Sequence, residues 1–178
     1  MDSKSIKSKI RTIEDWPKPG IMFRDITTLL KNPVGLRQSI GKLIERYKNY
    51  DFDLVAGIES RGFILGPILA YNLGKGFIPV RKKGKLPGET LQQQYSLEYG
   101  QDTIEIHKDA LNKGQKVLLV DDLCATGGTA LATIKLIESA GAKVIECCFV
   151  IDLPDLGGSR KLSKQGHKHF SLTQFDGE

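Results

Sequence analysis

Two adjacent acids, Asp121 and Asp122, stand just before a run of small and hydroxylated residues, Ala125-Thr-Gly-Gly-Thr129. A glycine turn that opens a helix makes an anion seat. Its backbone N–H groups point outward, the helix dipole adds partial positive charge, and the hydroxyls of Thr126 and Thr129 can donate as well. Gly127 and Gly128 let backbone approach a phosphate where a Cβ would intrude. The run has no lysine and fits neither G-x-x-x-x-G-K-[ST] nor G-x-G-x-x-G, so it is neither a Walker cradle nor a dinucleotide fingerprint. Acids facing a phosphate directly would repel it. They make sense beside a ligand that turns a neutral diol to the carboxylates and its phosphate to the turn, as a ribose 5-phosphate does. An ordinary strand–turn–helix with surface acids is the plainer alternative.

The elements that must position these residues follow from the apolar pattern. Val117 to Val120 reads as a strand buried on both faces and ended by the two acids. The helix after the turn carries Ala130, Ile134 and Ile137 at helical spacing and stops at Gly141. Upstream, Leu54 to Ile58 is a strand, Glu59-Ser-Arg-Gly62 a tight loop, Phe63 to Leu73 a helix and Phe77 to Val80 another strand. With Val144 to Ile151 these form a run of parallel-type strands, in which ligands collect beyond the carboxyl ends. The loops at Glu59–Gly62, Arg81–Lys85 and Asp121–Thr129 are therefore expected to converge.

Those loops bring complementary charge. Arg61, between Ser60 and Gly62, has the fork geometry for a pyrophosphate. Arg81, Lys82, Lys83 and Lys85 form a basic cluster at a strand end, where a phosphate site competes with a merely solvated face. Leu86-Pro-Gly88 and a polar stretch to Gln94 are too long for a tight connection and read as a lid. Beyond Tyr95-Ser-Leu-Glu-Tyr-Gly100, the segment Thr103 to Asp109 alternates like an antiparallel edge strand. Glu98 by itself is an unremarkable surface acid.

At the start of the chain, Ile6, Ile10 and Ile13 suggest a short amphipathic helix, broken by Trp16-Pro-Lys-Pro-Gly20. Ile21 to Ile26 is short and apolar, with Phe23 a default core residue. A helix follows with Leu36, Ile40, Leu43, Ile44 and Tyr47 on one face. At the other end, Leu153 to Glu178 reads as a loop, a short helix and a last strand from Phe170 to Phe175.

At 178 residues the chain fits one domain with a real core. No signal peptide, membrane-length apolar run or lipidation motif is read in it. Three cysteines, two of them the adjacent Cys147 and Cys148, point to reduced thiols in a cytoplasmic protein. Cys124 is a small apolar filler or a thiol activated by the neighbouring helix start. His107, His167 and His169 lack zinc spacing, so no metal cage is expected. The net charge of +5 comes from scattered lysines without interleaved aromatics, which argues against nucleic acid and suits a polyanionic small substrate.

The strand, acid pair and Thr-Gly-Gly-Thr turn together resemble the phosphoribosyl pyrophosphate (PRPP) signature of the type I phosphoribosyltransferases. Pro19-Gly-Ile-Met-Phe-Arg-Asp25, Gly57-Ile-Glu-Ser-Arg-Gly-Phe63 and Arg81-Lys-Lys-Gly-Lys-Leu-Pro-Gly88 with Tyr95–Gly100 extend the likeness over nearly the whole chain and narrow it to the adenine-using branch. The resemblance implies an α/β fold, a largely parallel sheet flanked by helices, as a single domain over residues 1–178. It implies an N-terminal hood over 1–35 and a flexible lid over 82–100.

It further implies a cytoplasmic homodimer that makes AMP and pyrophosphate from adenine and PRPP with Mg²⁺ held mainly by PRPP. No nucleic-acid or membrane partner is implied. In this likeness Ile21, Met22, Phe23 and Arg24 would bind adenine, with Phe23 stacking and the backbone reading the base edge. Glu59, Ser60, Arg61, Arg81, Lys82 and Lys85 would hold pyrophosphate. Asp121 and Asp122 would take the ribose hydroxyls, and Ala125, Thr126, Gly127, Gly128 and Thr129 the 5′-phosphate. Glu98 and Tyr99 would close over the reaction centre with Arg61. Met22 and the Gln92–Gln94 run depart from the pattern. A PRPP-sensing regulator, a nucleic-acid-binding protein and a xanthine or hypoxanthine–guanine enzyme are the competing readings.

Overall fold

A computed structural model of the chain describes residues 3–96 and 100–177. In chain order the elements are α1 (Ser3–Lys7), β1 (Arg11–Ile13), β2 (Phe23–Asp25), α2 (Thr27–Lys31), α3 (Pro33–Tyr47), β3 (Leu54–Ile58), α4 (Gly62–Leu73), β4 (Gly76–Lys82), β5 (Thr90–Ser96), β6 (Gln101–His107), β7 (Lys116–Cys124), α5 (Gly128–Ser139), β8 (Lys143–Asp152), a 3-10 turn (Pro154–Leu156), α6 (Gly158–Lys164) and β9 (His169–Gln174). Seven strands form one sheet in the order β5-β6-β4-β3-β7-β8-β9, and β1 and β2 pair separately. From β4 to β9 the neighbours run parallel; β6 and β5 are added antiparallel at one side.

The sheet is coated on both faces, which is why its inner strands read as unbroken apolar runs. In β7, Leu118 and Val120 face one cluster with Leu43 and Tyr47 of α3 and Leu65 and Leu69 of α4. Val117 and Leu119 face the other, with Ile134 and Ile137 of α5. Cys147 and Cys148 divide between the same two clusters, as adjacent strand residues must. Each fully buried aliphatic side chain contributes about 1.5–3 kcal/mol relative to exposure.

Four local readings differ from the structure. The first helix ends at Lys7, and Ile13 lies in β1 instead, paired with Phe23. The spacing of Ile6 and Ile10 reflects a shared burial against the core; it does not mark a continuous helix. The five-residue α2, between the hood strand and α3, has no signal in the sequence pattern. Strand β7 does not end at the acids but carries them, running on to Cys124 beside β8. Segment 103–109 is not the edge: β6 lies between β4 and β5, and β5 takes up much of the expected lid loop. Its polar run of glutamines fits an outermost strand that leaves one face to water.

Candidate active site

The parallel register sets the carboxyl ends of β4, β3 and β7 side by side, so the three loops converge as expected. A cavity of about 190 Å³ is lined by Arg61, Asp121, Asp122, the 125–129 turn and Phe149. Gly127, with φ +77°, makes the left-handed step that turns the strand into α5.

The turn is braced from outside by the C-terminal segment. The Gly158 N–H donates to the Ala125 carbonyl at 2.9 Å. A Cβ at Gly158 would stand 2.3 Å from that oxygen, so only glycine allows this approach.

The two acids are not equivalent. Where the sequence leaves surface acids as the plainer alternative, Asp122 is only 4% exposed, and its carboxylate accepts from Nε of Arg61. Asp121 is half-buried. Burial first, and then the charge of Asp122, push its carboxyl above the usual carboxylate range. Cys124 is buried and its thiol is pushed up to about 12, chiefly by burial. It is therefore the apolar filler, not an activated nucleophile.

Two members of the basic cluster, Arg81 and Lys82, are held in ion pairs. Arg81 reaches Glu59 at 3.2 Å, and the same carboxylate accepts the Lys82 amide at 3.1 Å. Burial opposes the Glu59 charge, but the Lys82 amide and Arg81 outweigh it and hold the carboxyl low. The Lys82 ammonium pairs with Asp102 at 3.2 Å. Lys85 stands further out, its amide and that of Leu86 each donating to Glu105 at 3.0 Å. Ser60 follows Glu59 through a cis peptide.

In the hood, Phe23 packs edge-on against Trp16 with ring centroids 4.5 Å apart, and the Arg61 guanidinium stands 5.9 Å from its ring. Ile21 and Met22 are half-buried beside it. The Arg24 side chain turns away, donating to Thr12 at 2.6 Å and lying over Phe175, so it offers the site only backbone. Glu98 and Tyr99 lie outside the described residues.

Several contributors escape the sequence reading. Tyr95 places its hydroxyl 3.4 Å from both the Thr129 hydroxyl and the Asp102 carboxylate, tying the β5–β6 hairpin to the start of α5. Its signals in the sequence are an aromatic in a polar run and its place at the head of the Tyr95–Gly100 motif. Glu105, an acid between two isoleucines, is 1% exposed and anchors the base of the hairpin. Lys161 of α6 donates to the Thr126 carbonyl at 3.1 Å, a contact across 35 residues that no local pattern announces.

Residues 25–174 match the family described as the phosphoribosyl transferase domain, the class that the acid pair and the turn already define. The adenine phosphoribosyltransferase of Nitrosomonas europaea is 62% identical over 172 residues, covering 97% of this chain and 99% of its own. The crystal structure of adenine phosphoribosyltransferase from Thermoanaerobacter pseudethanolicus superposes with a TM-score of 0.93 at 50% identity, over 98% of this chain and 100% of that one. The enzyme from Giardia lamblia, solved with 9-deazaadenine, gives 0.92 at 38% identity over 98% of each chain. The chain belongs to the phosphoribosyl transferase family, among its adenine phosphoribosyltransferases.

Proposed function

We propose that this protein transfers the 5-phosphoribosyl group of PRPP to adenine, giving AMP and pyrophosphate in purine salvage. The observation that carries the reading is the joining of Arg61, the acid pair and the glycine turn in one cavity at the strand ends. The 5′-phosphate rests on Ala125 to Thr129, the ribose hydroxyls on Asp121 and Asp122, and pyrophosphate on Arg61 with the Glu59–Ser60 loop, Arg81, Lys82 and Lys85. Adenine lies under the hood against Phe23, its edge read by backbone from Ile21 to Arg24. The Giardia relative, solved with 9-deazaadenine, supports a purine as the ligand.

Displacing pyrophosphate from C1 of ribose builds positive charge on the sugar and negative charge on the leaving group. Arg61 faces the second, and the acid pair orients the first. Glu98 is assigned to the proton that adenine loses as N9 attacks C1, and Tyr99 to covering the centre, which excludes water. The lid of the sequence reading, 82–100, then includes the outer part of the hairpin, and the hood, 1–35, includes β1, β2 and α2.

Mg²⁺ fits this donor set as a companion of PRPP. The oxygens of PRPP would supply most of the ion's shell, and the neighbouring charges of Asp121 and Asp122 would favour a cation close by. The ion supplies neutralisation of the departing pyrophosphate.

A cytoplasmic homodimer belongs to the same reading. Among the described residues no helix is long and apolar enough to cross a membrane. Incubation with PRPP, adenine and Mg²⁺ tests the reading: AMP and pyrophosphate should form in equal amounts, and no AMP from folded protein would refute it. Sedimentation would give twice the chain mass for a dimer.

A further inference from the structure

The connection between β1 and β2, residues 14–22, folds back on itself. The Gly20 N–H donates to the Asp15 carboxylate at 2.8 Å. The Ile21 N–H donates to the Lys18 carbonyl and the Trp16 N–H to the Ile21 carbonyl, both at 3.2 Å. These bonds bring Trp16 to the start of β2, where its ring meets that of Phe23 with centroids 4.5 Å apart and planes inclined by 65°. The indole is 51% exposed, so it adds little to the core.

At that inclination the pair is edge-to-face. Whichever ring presents its edge, Trp16 takes up at most one face of Phe23 and leaves the other to stack. The Arg61 guanidinium, 5.9 Å from the same ring, sets Phe23 at the border of the strand-end cavity that Arg61 lines. A ring stacks on a base only in the rotamer that turns its free face inward. A half-buried phenylalanine keeps other rotamers open unless a neighbour blocks them. Trp16 is that neighbour.

We propose that Trp16 is a positioning residue of the adenine site. Its ring holds Phe23 in the orientation that stacks on the base, and its backbone N–H ties down Ile21, where the segment that reads the base edge begins. The inference rests on the reading of Phe23 as the stacking ring. The plainer role is closure of the β1–β2 loop, which steadies the hood whether or not a base binds.

Steady-state kinetics of the full-length protein, with adenine and PRPP varied in turn, separates these roles. Trp16→Ala removes the ring and keeps the backbone bond, whereas Trp16→Phe keeps an aromatic neighbour for Phe23. Both should fold, because the ring they alter is half exposed. The Ala variant should raise the KM for adenine about fivefold, as expected for losing an aromatic pair. Its KM for PRPP should stay within about twofold, and kcat should fall by less than the adenine KM rises. The Phe variant should recover most of the adenine KM. An unchanged adenine KM in the Ala variant, a KM for PRPP that rises as much, or a Phe variant no better than Ala would overturn the role of Trp16. An unchanged adenine KM in Phe23→Ala would refute Phe23 as the stacking ring, and the inference with it.

Discussion

Arg61 and Asp122 form an ion pair between the ends of neighbouring strands, with the acid side chain 6% exposed and the arginine 43%. The acid depends on the arginine more than the reverse, because the guanidinium keeps water to turn to and the carboxylate does not. In the proposed reading, a pyrophosphate recruiting Arg61 would draw it partly from Asp122, and the ribose hydroxyls of the same PRPP would then compensate the acid.

The inequality of the acids gives the first prediction. Asp122→Asn should lower PRPP affinity about tenfold and cost about 1–2 kcal/mol of stability, since it strands a guanidinium that is only half in water. Asp121→Asn should leave stability unchanged or raised, because it removes a like charge. The native Asp121 carboxyl is raised, so the folded state keeps a proton that the unfolded state has lost. Stability therefore falls as pH rises from the ordinary aspartate range to the raised folded value, and the Asn variant should flatten that fall. Thermal melts across acidic to neutral pH measure both, and equal effects of the two substitutions would refute the distinction.

Glu105 acts in the opposite direction. Burial opposes its charge, but the amides of Leu86 and Lys85 and the Thr90 hydroxyl outweigh this and hold its carboxyl below the usual glutamate range. Its contribution is complete above that range and is lost as pH falls through the folded value. Glu105→Gln should therefore flatten the acid side of the stability curve and raise hydrogen exchange at Lys85 and Leu86. An acid limb identical to that of the wild type would contradict it.

Tyr95→Phe keeps the ring against the α5 start and removes only the hydroxyl shared with Thr129 and Asp102. Stability should change by about 0.5–1.5 kcal/mol at most, as for one hydrogen bond. The KM for PRPP should rise several-fold while kcat falls less, since the hydroxyl positions the turn and touches no reacting atom. An unchanged KM would reduce Tyr95 to packing.

How much of this was legible in the sequence depends on whether the information was local. The strand of Val117 to Val120, the glycine turn and the helix after it are written in consecutive residues, and the parallel order follows from alternation of strand and helix. The pairing of Arg61 with Asp122 was not legible, because burial of one acid and not its neighbour is decided by how closely α4 approaches β7. The lid reads as a loop because its glutamines lack an apolar face. It forms a strand because β6 supplies a partner for its backbone, which composition does not encode. Lys161 escaped for the same reason: its neighbour is set by the Gly158 clamp.

Glu98→Gln tests the proton transfer. The amide keeps the size and hydrogen bonding of the acid but cannot accept the N9 proton. General base assistance is typically worth about 10²–10⁴-fold, so single-turnover rates should fall by about that much with PRPP affinity nearly intact. Rates within a few-fold of the wild type would give the proton to water or another group.

The most direct measurement of adenine transfer is kcat/KM for a panel of bases with PRPP and Mg²⁺. Adenine presents an amino group where hypoxanthine presents a carbonyl, so a hood backbone aligned to accept from adenine faces an acceptor in the wrong base. A mismatched buried edge costs on the order of 1–3 kcal/mol or more, and adenine should lead hypoxanthine and guanine by at least about tenfold. Equal or better turnover of hypoxanthine or guanine would contradict the assignment of the hood as an adenine site.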